Sequence, residues 1–160
     1  MTAEKKVSPD HIRSLFAQAM SHMYRTEVPL YGDLVELVSA INAKVLAQDT
    51  ALAAALERND DLERIDLERH GAIPVGSAQE LAMLRRVFAV MGMYPVGYYD
   101  LAVAGVPVHS TAFRPLQAAA LSRNPFRVFC SLLRLELIDD AALREQAAAI
   151  LAARNIFTAQ

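Results

Sequence analysis

The chain has 160 residues, 54% of them hydrophobic and 21% charged, which is enough for one ordinary globular domain with a core. Its 16 basic and 18 acidic residues give a formal net charge of −2, so no excess of positive charge favours nucleic acid. Because no stretch approaches the roughly 20 apolar residues of a membrane span and no apolar signal segment follows Met1, we expect a cytoplasmic protein without nucleic-acid or membrane partners.

Helical periodicity dominates the first third of the chain, and alanine, with 28 residues, far outnumbers glycine, with 6. Ser8 and Pro9 are typical of an N-cap and a first helical residue, and this helix is predicted to end near Tyr24. A second helix is predicted from Pro29 to about Gln48, and a shorter third one from Thr50 to Glu57. The residues predicted to form the apolar faces of the first two helices are Ile12, Leu15, Phe16, Met20, Met23, Leu34, Leu37, Val38, Ile41, Val45 and Leu46.

The pattern changes after the third helix. Glycine and proline between Arg69 and Gly76 exclude a helix and predict an extended segment or a loop. Ser77 and Glu80 then form a capping box that begins a fourth helix. Two short strands are predicted at Tyr94 to Asp100 and at Val106 to Phe113. The apolar stripe of the fourth helix consists of Leu81, Leu84, Val87, Phe88 and Met91.

The carboxyl-terminal part is predicted to hold a strand from Phe126 to Ile138 and a last helix from Ala141 to about Arg154, capped by Asp140. Leu143, Ile150 and Leu151 are its apolar residues. The elements together indicate an α+β fold that is helix-rich at its amino terminus and has a few short strands. We predict a single domain or a fragment of a longer enzyme, helical over residues 8–58, mixed α/β over 66–138 and ending in a helix over 140–154.

Single histidines and one cysteine are the first candidates for chemistry. Cys130 lies in an apolar run, which predicts a buried thiol rather than a nucleophile, and a lone cysteine excludes an internal disulfide. His70 stands where the extended segment begins, next to a glycine, a position typical of a ligand or base but also of a structural histidine. His109 either forms a hydrogen bond within a strand or lines the same cavity as His70.

Arginines and tyrosines surround the predicted strands. The guanidinium fork suits a dicarboxylate substrate, and a solvated or ion-paired face is the alternative interpretation. The tyrosines either frame a polar pocket or pack half-buried with a hydrated hydroxyl. The chain contains no glycine-rich nucleotide loop, no G-x-S-x-G and no H-E-x-x-H. The residues concerned are Arg114, Arg123, Arg127, Arg134, Tyr94, Tyr98 and Tyr99.

Five longer segments are more specific than these single residues. The segment around the first candidate histidine reads Glu68-Arg-His-Gly-Ala-Ile73. The others are Tyr24 to Gly32, Phe88 to Asp100, Val106 to Pro115 and Asn124 to Phe129. Together these segments resemble the amino-terminal part of the 2-oxoadipate dioxygenase/decarboxylase family, bacterial enzymes of lysine breakdown, and the resemblance spans nearly the whole chain.

The resemblance implies a vicinal-oxygen-chelate type of core decorated with helices, holding a non-haem Fe(II) through two histidines and one glutamate. It implies that 2-oxoadipate and O2 are converted to 2-hydroxyglutarate and CO2. His70 matches the family's first iron ligand, so we expect it to bind both the metal and the substrate. The resemblance implies that the remaining histidine and the glutamate lie beyond Gln160.

One residue departs from the pattern that the resemblance implies. The family has an arginine four residues after the first ligand, where it grips a substrate carboxylate, and this chain has Pro74 there. Proline carries neither charge nor donor, so that contact is lost. Two hypotheses follow: a fragment of an iron-dependent dioxygenase, or a small non-catalytic binding or assembly module that keeps the family scaffold.

Overall fold

The computed structural model describes residues 7–59, 61–62, 65–66 and 70–157. The chain divides into two compact units, one made of Met1–Ser14 with His70–Gln160 and the other of Leu15–Arg69. Helices and one sheet occur together, so the predicted α+β class is confirmed. No helix within the described ranges combines the length and the apolar content needed to cross a membrane.

The three helices predicted at the amino terminus are confirmed as α1 (Pro9–Glu27), α2 (Pro29–Gln48) and α3 (Thr50–Arg58). α1 extends past Tyr24 by nearly one turn, and the tyrosine ring lies 5.5 Å from that of Tyr31 at the start of the next helix. Asp49 caps the third helix, its side chain accepting a hydrogen bond from the backbone N–H of Leu52 at 2.9 Å.

The predicted apolar faces of α1 and α2 are largely not buried. In α1 the buried residues are Arg13, Ala17 and Met20, whereas Leu15 and Met23 are exposed. None of the residues of α2 is buried. Apolar spacing identifies a helix and its stripe, but burial depends on what packs against that stripe. The exposed apolar side chains of α2 are Leu30, Leu34, Leu37, Val38, Ile41 and Val45.

The buried guanidinium of Arg13 joins three parts of its unit. It donates to the carbonyl oxygens of Met91 at 2.8 Å, Ala120 at 3.0 Å and Asn124 at 3.2 Å. It also pairs with the Asp10 carboxylate at 2.8 Å. The start of α1 is therefore bound to the turn after the fourth helix and to the segment before the last strand.

Four strands form one sheet: β1 (His70–Val75), β2 (Tyr94–Asp100), β3 (Val108–Arg114) and β4 (Arg127–Leu133). Their order in the sheet is β1-β4-β3-β2. β1 pairs in parallel with β4, and the other two pairs are antiparallel, with a bulge between Pro95 and Gly97 of β2. Both edge strands contain a proline, Pro74 in β1 and Pro95 in β2. The extended segment after Arg69 and the two strands that follow it are thus confirmed.

Helix α4 (Ala78–Val90) packs on one face of this sheet. Its buried Phe88 ring lies 5.0 Å from the ring of Phe113 on β3. Val128 and Cys130 of β4 are fully buried on the same sheet face, as alternation along the strand requires. Val87, predicted to belong to the apolar stripe, is exposed instead. This α4-covered face is the core of the unit.

The capping box at the start of α4 is confirmed on the serine side. Ser77 Oγ accepts a hydrogen bond from the Glu80 N–H at 3.2 Å, and the Glu80 carboxylate accepts one from the Gly76 N–H at 2.6 Å. The same carboxylate receives the Arg154 fork at 2.9 and 2.7 Å. Arg154 thereby holds the pKa of Glu80 below its ordinary value. A residue after the last helix is thus tied to the start of α4.

A further helix follows each of the strands β3 and β4. A helix not predicted from the sequence, α5, covers Ala118–Arg123, and α6 covers Ala141–Ala153 as predicted. Asp140 caps α6, its carboxylate accepting hydrogen bonds from the backbone N–H groups of Ala142 at 2.9 Å and Leu143 at 3.0 Å. The predicted strand to Ile138 is too long, because the chain forms a 3-10 turn at Leu135–Leu137, and another occurs at Ala102–Ala104. Leu143 and Ile150, which were predicted as apolar residues of α6, are exposed.

Candidate functional site

His70 is the first residue of β1 and is exposed. Along this strand Gly71 and Val75 are buried, whereas His70, Ala72 and Pro74 are exposed. Residues two and four apart in a strand share a face. His70 and Pro74 therefore lie on the same side of the sheet, opposite the face that α4 covers.

The cross-strand pairs show which residues of β4, β3 and β2 lie on the same side of the sheet as His70. Ser131 of β4 pairs with Ser110 of β3, and their hydroxyl oxygens lie 2.6 Å apart. The ring of Tyr99 on β2 lies 5.8 Å from that of Phe129 on β4. This side is exposed at β1 and becomes half-buried at β4. We call it the His70 face; it consists of His70, Ala72, Pro74, Tyr94, Gly97, Tyr99, Val108, Ser110, Ala112, Arg114, Arg127, Phe129, Ser131 and Leu133.

Two of the four candidate arginines belong to ion pairs. Arg123 pairs with Asp10 at 2.7 Å, and Arg134 pairs with Glu136. The neighbouring Arg123 and Arg13 hold the pKa of Asp10 below its ordinary value. For these two arginines the ion-paired interpretation is confirmed.

The other two arginines lie on the His70 face. Arg114 donates to the carbonyl oxygen of Pro115 at 2.9 Å. The side chain of Arg127 is half-buried and makes no hydrogen bond or ion pair with any other residue that the structure describes. Register places Arg127 directly beside His70. The sequence did not distinguish these two arginines from the ion-paired ones.

His109 lies elsewhere. Its Nδ1 is 3.0 Å from the hydroxyl oxygen of Tyr98, so the hydrogen bond within neighbouring strands is confirmed. It pairs in register with Leu132, which places it on the α4-covered face. His109 therefore does not share a site with His70.

Cys130 is a buried structural thiol, as predicted. It is fully buried and free, and burial raises its pKa to about 12. A thiol with this pKa stays protonated at neutral pH and is a poor nucleophile and a poor metal ligand. Cys130 therefore belongs to the core rather than to a site.

The described part of the chain offers a metal ion one imidazole rather than a complete site. No three histidine, cysteine, aspartate or glutamate side chains come together among the residues described. A site of two histidines and one carboxylate needs three such groups. His70 fits the role of a single ligand, because it is exposed and stands on a strand whose backbone pairs with β4.

A family model described as 2-oxoadipate dioxygenase/decarboxylase matches residues 16–160. The chain belongs to the 2-oxoadipate dioxygenase/decarboxylase family. The Pseudomonas putida member is 62% identical over all 160 residues, which are 34% of its own length. The Escherichia coli member is 61% identical over 152 residues, 95% of this chain and 34% of that protein. The chain thus spans about a third of the length of these curated family members.

A solved structure of this family contains a region with the fold of this chain. The crystal structure of the hydroxyglutarate synthase from Pseudomonas putida in complex with 2-oxoadipate is 63% identical to this chain and aligns with a TM-score of 0.89. The alignment covers 98% of this chain and 35% of that one. The membership in the 2-oxoadipate dioxygenase/decarboxylase family that the sequence segments indicated is therefore confirmed.

Proposed function

We propose that this chain forms part of a 2-oxoadipate dioxygenase/decarboxylase and supplies its first metal ligand, His70. The observation that carries this proposal is the exposed position of His70 at the edge of the His70 face, in a chain of this family. The whole enzyme would convert 2-oxoadipate and O2 to 2-hydroxyglutarate and CO2. The atoms of this reaction balance without a further oxidant. We place the reaction in lysine breakdown in the cytoplasm.

Fe(II) is the metal that we propose, with His70 giving one imidazole nitrogen and a second histidine and a glutamate coming from the rest of the family's length. When bound, iron would supply the redox chemistry with O2. The role of this chain is positioning. The parallel pairing of β1 with β4 fixes the backbone of His70, and α4 packs the opposite face of the sheet.

A non-catalytic binding or assembly module is the second candidate function. Pro74 favours it, because this residue lies on the same side of β1 as His70 and offers no charge to a substrate carboxylate. The two candidates differ in whether the chain can complete a working enzyme.

A chimera tests the proposal. This chain would replace the matching third of the Pseudomonas putida relative, to which it is 62% identical. We expect the chimera, loaded anaerobically with Fe(II), to consume O2 when 2-oxoadipate is added and to release one CO2 for each O2. A chimera that folds and binds Fe(II) without this turnover would contradict the enzyme proposal and favour the binding module.

Replacing Pro74 with arginine in this chimera is expected to lower the KM for 2-oxoadipate. Charge-assisted hydrogen bonds contribute about 1.5–3 kcal/mol, which corresponds to roughly a 10- to 100-fold lower KM. The replacement is compatible with the fold, because β1 is an edge strand that does not depend on a proline. The measurement is steady-state O2 consumption against 2-oxoadipate concentration.

The control for Pro74→Arg is Pro74→Gln, which removes the proline without adding charge. Pro74→Gln is expected to leave the KM within about twofold, well below the effect of a charged hydrogen bond. Equal KM values for Pro74→Arg and Pro74→Gln would show that a cation at this position does not reach the substrate.

A further inference from the structure

Arg127 is the direct neighbour of His70 in the sheet. The two residues pair in register between β1 and β4, where adjacent strands lie about 4.8 Å apart. The next residue, Val128, is fully buried on the α4-covered face. Alternation therefore places the side chain of Arg127 on the His70 face.

The charge of Arg127 has no counterion among the residues that the structure describes. The side chain is half-buried and has no hydrogen bond or ion pair in that part of the chain. By contrast, Arg13 and Arg123 share the Asp10 carboxylate. Partial removal of a guanidinium from water costs free energy, and an anionic ligand offsets that cost. Arg127 therefore has the properties of an anion-binding side chain.

Arg114 on β3 adds a second guanidinium beside it. Because Phe113 pairs with Val128, Arg114 comes next in register to Arg127. One of its nitrogens donates to Pro115, and the guanidinium has further donors. None of the residues of the His70 face is acidic. His70, Arg127 and Arg114 thus form a basic row across three strands, about 10 Å long.

We infer that Arg127 binds the terminal carboxylate of a 2-oxo dicarboxylic acid, the carboxylate remote from the 2-oxo group, with Arg114 next to it. This inference rests on the proposed function, in which the 2-oxo end of the substrate lies next to His70. A guanidinium fork binds a carboxylate through two parallel hydrogen bonds. Arg127 then selects dicarboxylates over monocarboxylates of the same chain length, although Pro74 supplies no charge.

Arg127→Gln in the chimera tests this inference. The KM for 2-oxoadipate is expected to rise about 10- to 100-fold, because a charge-assisted pair is lost, while kcat changes little. For 2-oxohexanoate, which lacks the terminal carboxylate, the KM or inhibition constant is expected to stay within twofold. Arg127→Lys, which keeps the charge without the fork, is expected to recover part of the loss.

The matched control is Arg85→Gln, an exposed arginine of α4, which removes the same charge from the other side of the sheet. Arg85→Gln is expected to leave the KM for both compounds unchanged. Thermal unfolding of each variant verifies that the fold is retained. An Arg127→Gln variant with an unchanged KM for 2-oxoadipate, or with equal changes for both compounds, overturns the inference.

A binding measurement separates this inference from the proposed function. In the unmodified 160-residue chain, titration with 2-oxoadipate is expected to shift the side-chain Nε–H signal of Arg127 in nitrogen–proton NMR spectra. Titration with 2-oxohexanoate is expected to shift it much less. An inactive chimera whose chain still shows this selective shift contradicts the enzyme proposal and supports the binding role of Arg127. A signal that does not move, beside an active chimera, overturns the inference alone.

Discussion

Arg13→Met is expected to lower the free energy of unfolding of the chain by about 3–5 kcal/mol. Arg13 is fully buried, and its guanidinium donates to three backbone carbonyl oxygens as well as to Asp10. Methionine fills part of the volume but donates no hydrogen bond, so these carbonyl groups lose a partner that water cannot readily replace. The measurement is urea unfolding followed by circular dichroism.

The matched control is Arg123→Met. Arg123 also pairs with Asp10, but its side chain is 68% exposed. Exposed ion pairs contribute about 0–1 kcal/mol, so this variant is expected to change the unfolding free energy by less than 1 kcal/mol. Equal losses in the two variants would mean that the ion pairs with Asp10, rather than the carbonyl contacts of Arg13, carry the stability.

His70→Ala in the chimera is expected to reduce 2-oxoadipate-dependent O2 consumption by more than about 100-fold. Replacing a residue that only supports a metal ligand already lowers metal affinity or activity by about 10- to 100-fold, and replacing a ligand itself has a larger effect. The fold should persist, because His70 is exposed at the first position of its strand. Iron content after gel filtration gives a second measurement, and it is expected to fall together with the activity.

His109→Ala is the control for His70→Ala. It removes a histidine from the same sheet but from the α4-covered face, where the ring contacts Tyr98. Iron content and turnover are expected to stay within a few-fold of the unmodified chimera. A His70→Ala chimera that retains its iron and still consumes O2 with 2-oxoadipate would overturn the assignment of His70 as a ligand.

Local signals in the sequence predicted most of the fold. The side chains of Ser77 and Asp140 accept hydrogen bonds from backbone N–H groups two or three residues away. The starts of α4 and α6 can therefore be predicted from the local sequence. The pairing of Arg154 with Glu80 joins residues 74 positions apart, and no local pattern encodes it. The burial of Arg13 was missed for the same reason, since its carbonyl partners come from distant turns.

From the sequence, only one residue of the candidate site could be predicted. His70 was identified by its place at an element boundary and by the family segments, and its role as a ligand stays a prediction. Arg127 was one of four arginines with equal standing in the sequence. The structure distinguishes them: strand register places Arg127 beside His70, whereas Arg123 pairs with Asp10 and Arg134 pairs with Glu136. The orientation of strands relative to each other cannot be derived from single-strand patterns.

The two prolines in the edge strands affect how this sheet meets other polypeptides. Pro74 in β1 and Pro95 in β2 each remove a backbone donor, and β2 is also bulged next to its proline. A strand from a second molecule that added to either edge would meet a gap in the hydrogen-bond ladder. Both edges are therefore poor templates for the addition of a further strand.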